Sequence, residues 1–289
     1  MTTKQDKLVN MLNNPYIDTF ISEANLSSSF VVDHYNVFES SFDSICLCKG
    51  CNGLNECKQG KEGEMLTLAY DGGVYNDITY CPYYVAKLNK EKTLSNFVRN
   101  DIPSNYSDVN LNNIELLDAE IENLCALCFD ILDKKTNKGL YIYGDLGVGK
   151  TYMCIALANS LAKNGEKVGF VKSNYFINDM RKLIGTNNDL YEKTFNSIKK
   201  VPYLFIDDIG SESVSTYSRD DLLLNILDYR MENKLCTIFT SNLSKESLLK
   251  HYTYDKNDNS SIVRAKRLLE RIDILSNDFV LNGNNKRRG

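Results

Sequence analysis

Gly144-Asp145-Leu146-Gly147-Val148-Gly149-Lys150-Thr151 is the stretch whose reading decides the fold, since it fits the pattern G-x-x-x-x-G-K-[ST] at every fixed position. Triphosphate oxygens have to be approached by bare backbone N–H groups, which glycine permits, while a helix N-terminus and one lysine supply positive charge. Lys150 is the expected phosphate cation and Thr151 the expected Mg2+ ligand. Gly144, Asp145, Leu146, Gly147, Val148 and Gly149 form the rest of the cradle. The flanks agree: Gly139 to Tyr143 has strand character, and Met153 to Lys163 carries apolar residues at helical spacing. A glycine-rich turn that binds nothing would need neither the lysine nor the threonine.

Further along, Val201-Pro-Tyr-Leu-Phe-Ile-Asp207-Asp208 is an apolar run ending in two carboxylates, as expected of a central parallel strand delivering acids at its C-terminal edge. Asp207 is then expected to hold Mg2+, and Asp208 to orient or deprotonate the attacking water. A buried strand entering a polar turn looks the same when taken alone; the pairing with the phosphate loop gives it weight. Leu235-Cys-Thr-Ile-Phe-Thr240-Ser241-Asn242 is another β-rich run, and the Asn242 amide is placed to sense the γ-phosphate. Lys167 to Lys172 and Asp278 to Asn282 add two more strand signals. Helical segments separate them, for example Arg219 to Asn233, with Leu222, Leu223, Ile226, Leu227 and Met231 along one side. Such alternation predicts an α/β fold with a doubly wound parallel β-sheet.

Taken together, the phosphate loop, Leu204-Phe-Ile-Asp-Asp-Ile-Gly-Ser-Glu212, Thr237-Ile-Phe-Thr-Ser-Asn242 and the basic run Arg264-Ala-Lys-Arg267-Leu-Leu-Glu-Arg271 resemble the AAA+ P-loop ATPase of the bacterial DnaC/DnaI-type helicase loaders. The resemblance spans roughly residue 100 onward. It implies an arginine finger acting on a neighbouring subunit's ATP, placed on Arg267 with Arg264 and Arg271 as alternatives, and a sensor-2 arginine at Arg287. It places Tyr106 to Leu111 where AAA+ proteins contact adenine. The same arginines, read without the resemblance, fall around a helix and suit a solvated surface. The implied function is ATP-dependent loading of the replicative, DnaB-type DNA helicase onto single-stranded DNA in initiation or restart of replication. Self-association and hydrolysis stimulated by DNA or partner go with it. Rival readings are an IstB-like transposition AAA+ ATPase, a nucleotide-gated DNA-binding adaptor, and a small-molecule kinase; the last predicts an acceptor pocket and leaves those arginines no neighbour to reach.

The chain has 289 residues, 43% of them hydrophobic and 25% charged, enough for two globular domains. No run is long and apolar enough to span a bilayer, and the polar first twenty residues do not read as a signal peptide, so a cytoplasmic protein without membrane contact is expected. A net charge of −4 disfavours strong free-standing nucleic-acid affinity. DNA contact would use a local patch, with Lys172, Tyr175 and Phe176 as candidates.

Nine cysteines in such a chain point to metal ligands or core residues rather than disulfides. Cys125, Cys128, Cys154 and Cys236 sit in apolar patterns and read as core. Cys48-x-x-Cys51-x5-Cys57 lies in a polar segment, and two strand signals, Glu64 to Tyr70 and Val74 to Tyr80 around Asp71-Gly72-Gly73, can bring Cys81 back to it. Four thiolates make a closed zinc site, so Cys48, Cys51, Cys57 and Cys81 are the expected Zn2+ ligands, with Cys46 as a substitute for Cys57. A small zinc-binding α+β domain also resembles the DnaI-type branch; ligand sets there can include histidine, whereas His34 reads here as an ordinary exposed residue. The expected organisation is a helicase-docking domain over 1–86, a polar linker over 87–100 and the ATPase domain over 101–289. A surface loop is expected over Tyr252 to Ser261.

Overall fold

The computed structural model describes residues 3–116, 118–253 and 259–283. They divide into two compact units, one ending at Glu91 and one beginning at Lys92.

The first unit starts with four helices, α1 (Lys4–Leu12), α2 (Pro15–Glu23), α3 (Ser28–Asp33) and α4 (Tyr35–Leu47). A reciprocal Thr3–Asp6 capping box begins α1, and Asn14 caps α2 with Pro15 in its first turn. The expected hairpin follows as antiparallel strands β1 (Glu64–Tyr70) and β2 (Val74–Tyr80), with Tyr70 opposite Val74 across the Asp-Gly-Gly turn. Two β1 amides, Leu66 and Leu68, donate to Ser44 Oγ at 2.9 Å and Tyr16 OH at 2.8 Å, so helix side chains complete the strand's hydrogen bonding. The core is small: Met11, Ile17, Val31, Phe38 and Leu68 are its buried apolar residues. Helix α5 (Pro82–Leu94) begins in this unit and runs past its end at Glu91.

The second unit is built on six strands, β3 (Phe97–Asn100), β4 (Gly139–Tyr143), β5 (Val168–Lys172), β6 (Tyr203–Asp207), β7 (Cys236–Ser241) and β8 (Ser276–Val280). All pair in parallel, in the order β3-β5-β6-β7-β4-β8. The expectation of a polar linker over 87–100 does not match this stretch. Its first part belongs to α5 and its last four residues form edge strand β3, whose Phe97 pairs with Val168 and Asn100 with Phe170. Pairing to β5 supplies the order that the polar composition lacks.

Helices cover both faces of the sheet. Helices α6 (Ala119–Leu132) and α7 (Lys150–Lys163) pack on one side, where Leu124, Ile131 and Leu157 meet Ile142 and Phe170. On the other lie α8 (Ser173–Leu183), α9 (Asn188–Lys200), α10 (Asn225–Glu232), α11 (Lys245–Tyr252) and α12 (Asn259–Leu275), burying Phe176, Ile198, Leu227, Leu268 and Ile272 against Ile206 and Phe239. Cys125, Cys128, Cys154 and Cys236 are all core residues, and burial pushes the Cys236 thiol up to about 12. A π-helical segment, Tyr217–Leu224, runs into α10.

Among the described residues two arginines are fully buried. Arg230 donates to backbone carbonyls of Val201 and Cys236, both at 2.6 Å, and to Thr237 Oγ1 at 2.8 Å. Burial pulls its pKa down to about 9, still above neutrality, so the guanidinium remains charged and clasps β6 and β7 at their N-terminal ends. Arg219 forms a bidentate pair with Asp220. Among the described residues no helix is long and apolar enough to cross a membrane. Of the expected surface loop over Tyr252 to Ser261, residues 254–258 lie outside the described residues, while Tyr252 ends α11 and Ser261 lies in the first turn of α12, both buried, because each packs into the core rather than facing solvent.

Candidate functional site

The connection from β4 to α7 carries the phosphate-loop sequence at the C-terminal edge of the sheet. Gly144 has φ +148°, and a Cβ there would stand 2.1 Å from the Leu281 carbonyl oxygen, so no larger residue fits. Gly149, at φ +110°, turns the chain into α7 and leaves the first amides of that helix facing the loop. Val148 is buried and anchors the loop, whereas Leu146 is exposed.

β7 lies between β4 and β6, which brings Thr240, Ser241 and Asn242 between the loop and the acids. The Lys150 ammonium donates to Gly144 O at 2.8 Å, Asp145 O at 2.7 Å and Asn242 Oδ1 at 2.9 Å. Asn242 Nδ2 in turn donates to Asp208 Oδ1 at 2.9 Å, so one amide bridges Lys150 and Asp208. Thr151 Oγ1 and Thr240 Oγ1 donate to the same oxygen of Asp207, at 2.8 and 2.6 Å. Burial raises the Asp207 pKa above the usual carboxylate value, against the opposing pull of the two hydroxyls. Thr151 and Asp207 would hold Mg2+, and the ion would neutralise charge developing on the phosphates.

These groups line a cavity of about 910 Å3, ample for a nucleotide. Ile114 and Ile155 also line it, as do Tyr106 and Tyr152, an edge-to-face pair at 6.1 Å. Asn159 on α7 holds this wall by donating to the carbonyls of Tyr106 and Val109 at 2.9 and 2.7 Å. Lys172 and Tyr175 also line the cavity, and the lysine lies 5.8 Å from the Tyr175 ring centre. Phe176 points into the core instead.

Comparison with known proteins places this arrangement. The family described as IstB-like ATP binding protein matches residues 87–286. The chain belongs to that family. It is also 31% identical over 248 residues to the replicative helicase loader DnaI of Bacillus subtilis, covering 83% of this chain and 78% of DnaI. A crystal structure of DnaI superimposes with TM-score 0.57 at 31% identity, covering 68% of this chain and all of that one. The crystal structure of the DnaC helicase loader, at 23% identity and TM-score 0.50, covers 62% of this chain and 100% of its own and shares the fold. The sheet and cavity described above are those of an AAA+ P-loop ATP-binding domain.

The family's basic run lies on α12, and none of Arg264, Arg267 and Arg271 lines the nucleotide cavity. Arg267 Nη2 donates to Asp228 at 2.9 Å with its side chain 54% exposed; Arg271 donates to the same carboxylate at 2.5 Å and is only 16% exposed. Arg264 donates to Asp220 at 3.1 Å. Arg287 lies outside the described residues.

In the first unit, Cys48, Cys51, Cys57 and Cys81 line one pocket of about 220 Å3, and Cys46 does not. Gln59 Nε2 donates to Cys48 Sγ at 3.2 Å, and the Gly63 and Tyr84 amides donate to Cys57 Sγ and Cys81 Sγ at 3.4 Å. Among the described residues no group of three or more His, Cys, Asp or Glu side chains stands at metal-binding geometry. Three of the four thiols receive N–H bonds at sulfur, and Cys51 Sγ instead donates to the Gly53 carbonyl at 3.2 Å.

Glu212 ends the run that follows the paired acids and has no role assigned from its local sequence. It is buried, and it accepts hydrogen bonds from Ser173, Gly210 and Tyr252. Its position just past the paired acids was visible, but its burial depends on a tyrosine forty residues away.

Proposed function

We propose that this protein is an ATP-dependent loader of the replicative DNA helicase onto single-stranded DNA. The observation that carries the reading is the extent of the DnaI similarity: 83% coverage cannot come from residues 87–286 alone and therefore reaches into the first unit. That extension favours a loader over an IstB-like transposition ATPase, for which the ATP-binding domain would suffice. The first unit, ending at Glu91, is the helicase-docking module, and Cys48, Cys51, Cys57 and Cys81 hold a structural zinc that stabilises its small core. The second unit binds Mg·ATP and self-associates, with Arg267 of one subunit completing the site of the next. Arg267's exposure supports that role, because it can exchange Asp228 for a neighbour's phosphate.

In this reading Lys150 holds the phosphates, Asp208 prepares water and Asn242 links the two, so hydrolysis acts as a timing switch. Single-stranded DNA stimulates turnover, and Lys172 and Tyr175 are the candidate contacts. The test is retention of purified replicative helicase by the immobilised full chain, with hydrolysis measured with and without single-stranded DNA. Failure to retain the helicase in every nucleotide state would remove the loader reading. Retention without measurable hydrolysis would leave a nucleotide-gated adaptor.

A further inference from the structure

Glu212 is 2% exposed and has no part in the chemistry described so far. Its oxygens are held by three separate elements. Oε2 accepts from Ser173 Oγ, at the first residue of α8, at 2.7 Å and from the Gly210 amide at 3.0 Å. Oε1 accepts from the phenol of Tyr252, the last residue of α11. Burial, and then the Glu212 charge, raise the tyrosine's pKa well above its ordinary value, so it remains a donor. A carboxylate buried among neutral donors is costly, and its retention calls for a purpose.

The purpose is suggested by what those donors adjoin. Gly210 is two residues beyond Asp208, whose φ of +57° is a left-handed conformation that few non-glycine residues adopt. That turn is pinned on one side by β7, through Ile209 N to Thr240 O at 2.9 Å and Ser241 Oγ to Ile209 O at 2.6 Å. Glu212 pins the other side. Ser173 is flanked by Lys172 and Asn174, both on the wall of the nucleotide cavity. On the far side, the Tyr252 carbonyl accepts from Arg219 at 2.9 Å, and Arg219 pairs with Asp220, which accepts from Arg264 on α12 at 3.1 Å.

We propose that Glu212 is a positioning residue for ATP hydrolysis: through Gly210 and Ser173 it fixes the aim of Asp208 against the α8 wall, and through Tyr252 it fastens that arrangement to the arginine-bearing helix α12. The proposal rests on the reading of Asp208 as the residue that prepares water. Glu212 does not line the nucleotide cavity, so it acts on turnover and leaves nucleotide binding alone.

The experiment compares Glu212→Gln, Tyr252→Phe, the double variant and Asp208→Asn with the wild-type full chain, below the unfolding transition of each. Steady-state hydrolysis gives kcat and KM, and a fluorescent ATP analogue gives affinity. Glu212→Gln is expected to lower kcat about tenfold and Tyr252→Phe about threefold, with KM and affinity changed less than about twofold. The double variant should be no worse than Glu212→Gln, because the phenol acts through that carboxylate. Tyr252→Phe removes a single oxygen and keeps the test available if Glu212→Gln folds poorly. A lowered melting temperature with wild-type kcat, or a loss of affinity matching the loss of turnover, overturns the proposal. If Asp208→Asn abolishes hydrolysis while Glu212→Gln does not lower it, the positioning role alone falls. If Asp208→Asn turns over like wild type, the hydrolysis reading and the proposal fall together.

Discussion

Asp207→Asn is expected to raise the thermal stability of the nucleotide-free chain while removing its response to Mg·ATP. The carboxylate is 4% exposed, and its Oδ1 accepts from Thr151 and Thr240 at 2.8 and 2.6 Å. Burial holds its pKa above the unfolded value, and the charge of Asp208 acts in the same direction. With a raised folded-state pKa, the native protein binds the proton more tightly than the unfolded chain does. The group therefore favours folding below its unfolded pKa, and that contribution is lost as pH rises through the folded pKa. Asparagine keeps the accepting oxygen and removes the charge, so the nucleotide-free variant should melt above wild type. Mg·ATP at about one hundred times its Kd stabilises the wild type by about 2.7 kcal/mol, about 5–10 °C, and the variant by much less. Differential scanning calorimetry with and without Mg·ATP reads both effects. Repeating the nucleotide-free scans at lower pH should narrow the gap between the two proteins, as Asp207 becomes protonated. A variant that melts below wild type without nucleotide, or an equal Mg·ATP shift in both, would refute the reasoning.

Arg267→Ala should bind nucleotide normally and lose roughly a thousandfold in assembled hydrolysis. Mixing it with Lys150→Ala should recover activity above either variant alone, as measured by phosphate release, if the arginine acts in trans. Arg230→Met should lower stability by about 3 kcal/mol or more, read by chemical denaturation, because it strands the buried acceptors of Val201, Cys236 and Thr237. Metal analysis should find about one zinc per chain. Cys51→Ser or Cys81→Ser should lose it and unfold the first unit while sparing ATP-analogue binding.

The nucleotide site was legible because its parts are contiguous in sequence: Lys150 and Thr151 end the loop motif, and Asp207 and Asp208 end an apolar run. Their convergence required only that the strands be parallel. The β1–β2 hairpin was legible for the same local reason, an Asp-Gly-Gly turn between two strand-like runs. What escaped depended on distant partners. β3 has only four residues and takes its order from β5. The burial of Arg219 and Arg230 depends on carbonyls contributed by other segments. Glu212 stands in a polar turn, with Tyr252 far along the chain completing its environment.

The most direct test of the central claim is delivery of the purified replicative helicase onto circular single-stranded DNA, measured as helicase that co-elutes with the circles in gel filtration. With wild-type protein and ATP, helicase should accumulate on the DNA, and omission of ATP or use of Lys150→Ala should leave it free. Equal helicase occupancy with Lys150→Ala, or in the absence of the protein altogether, would contradict the account.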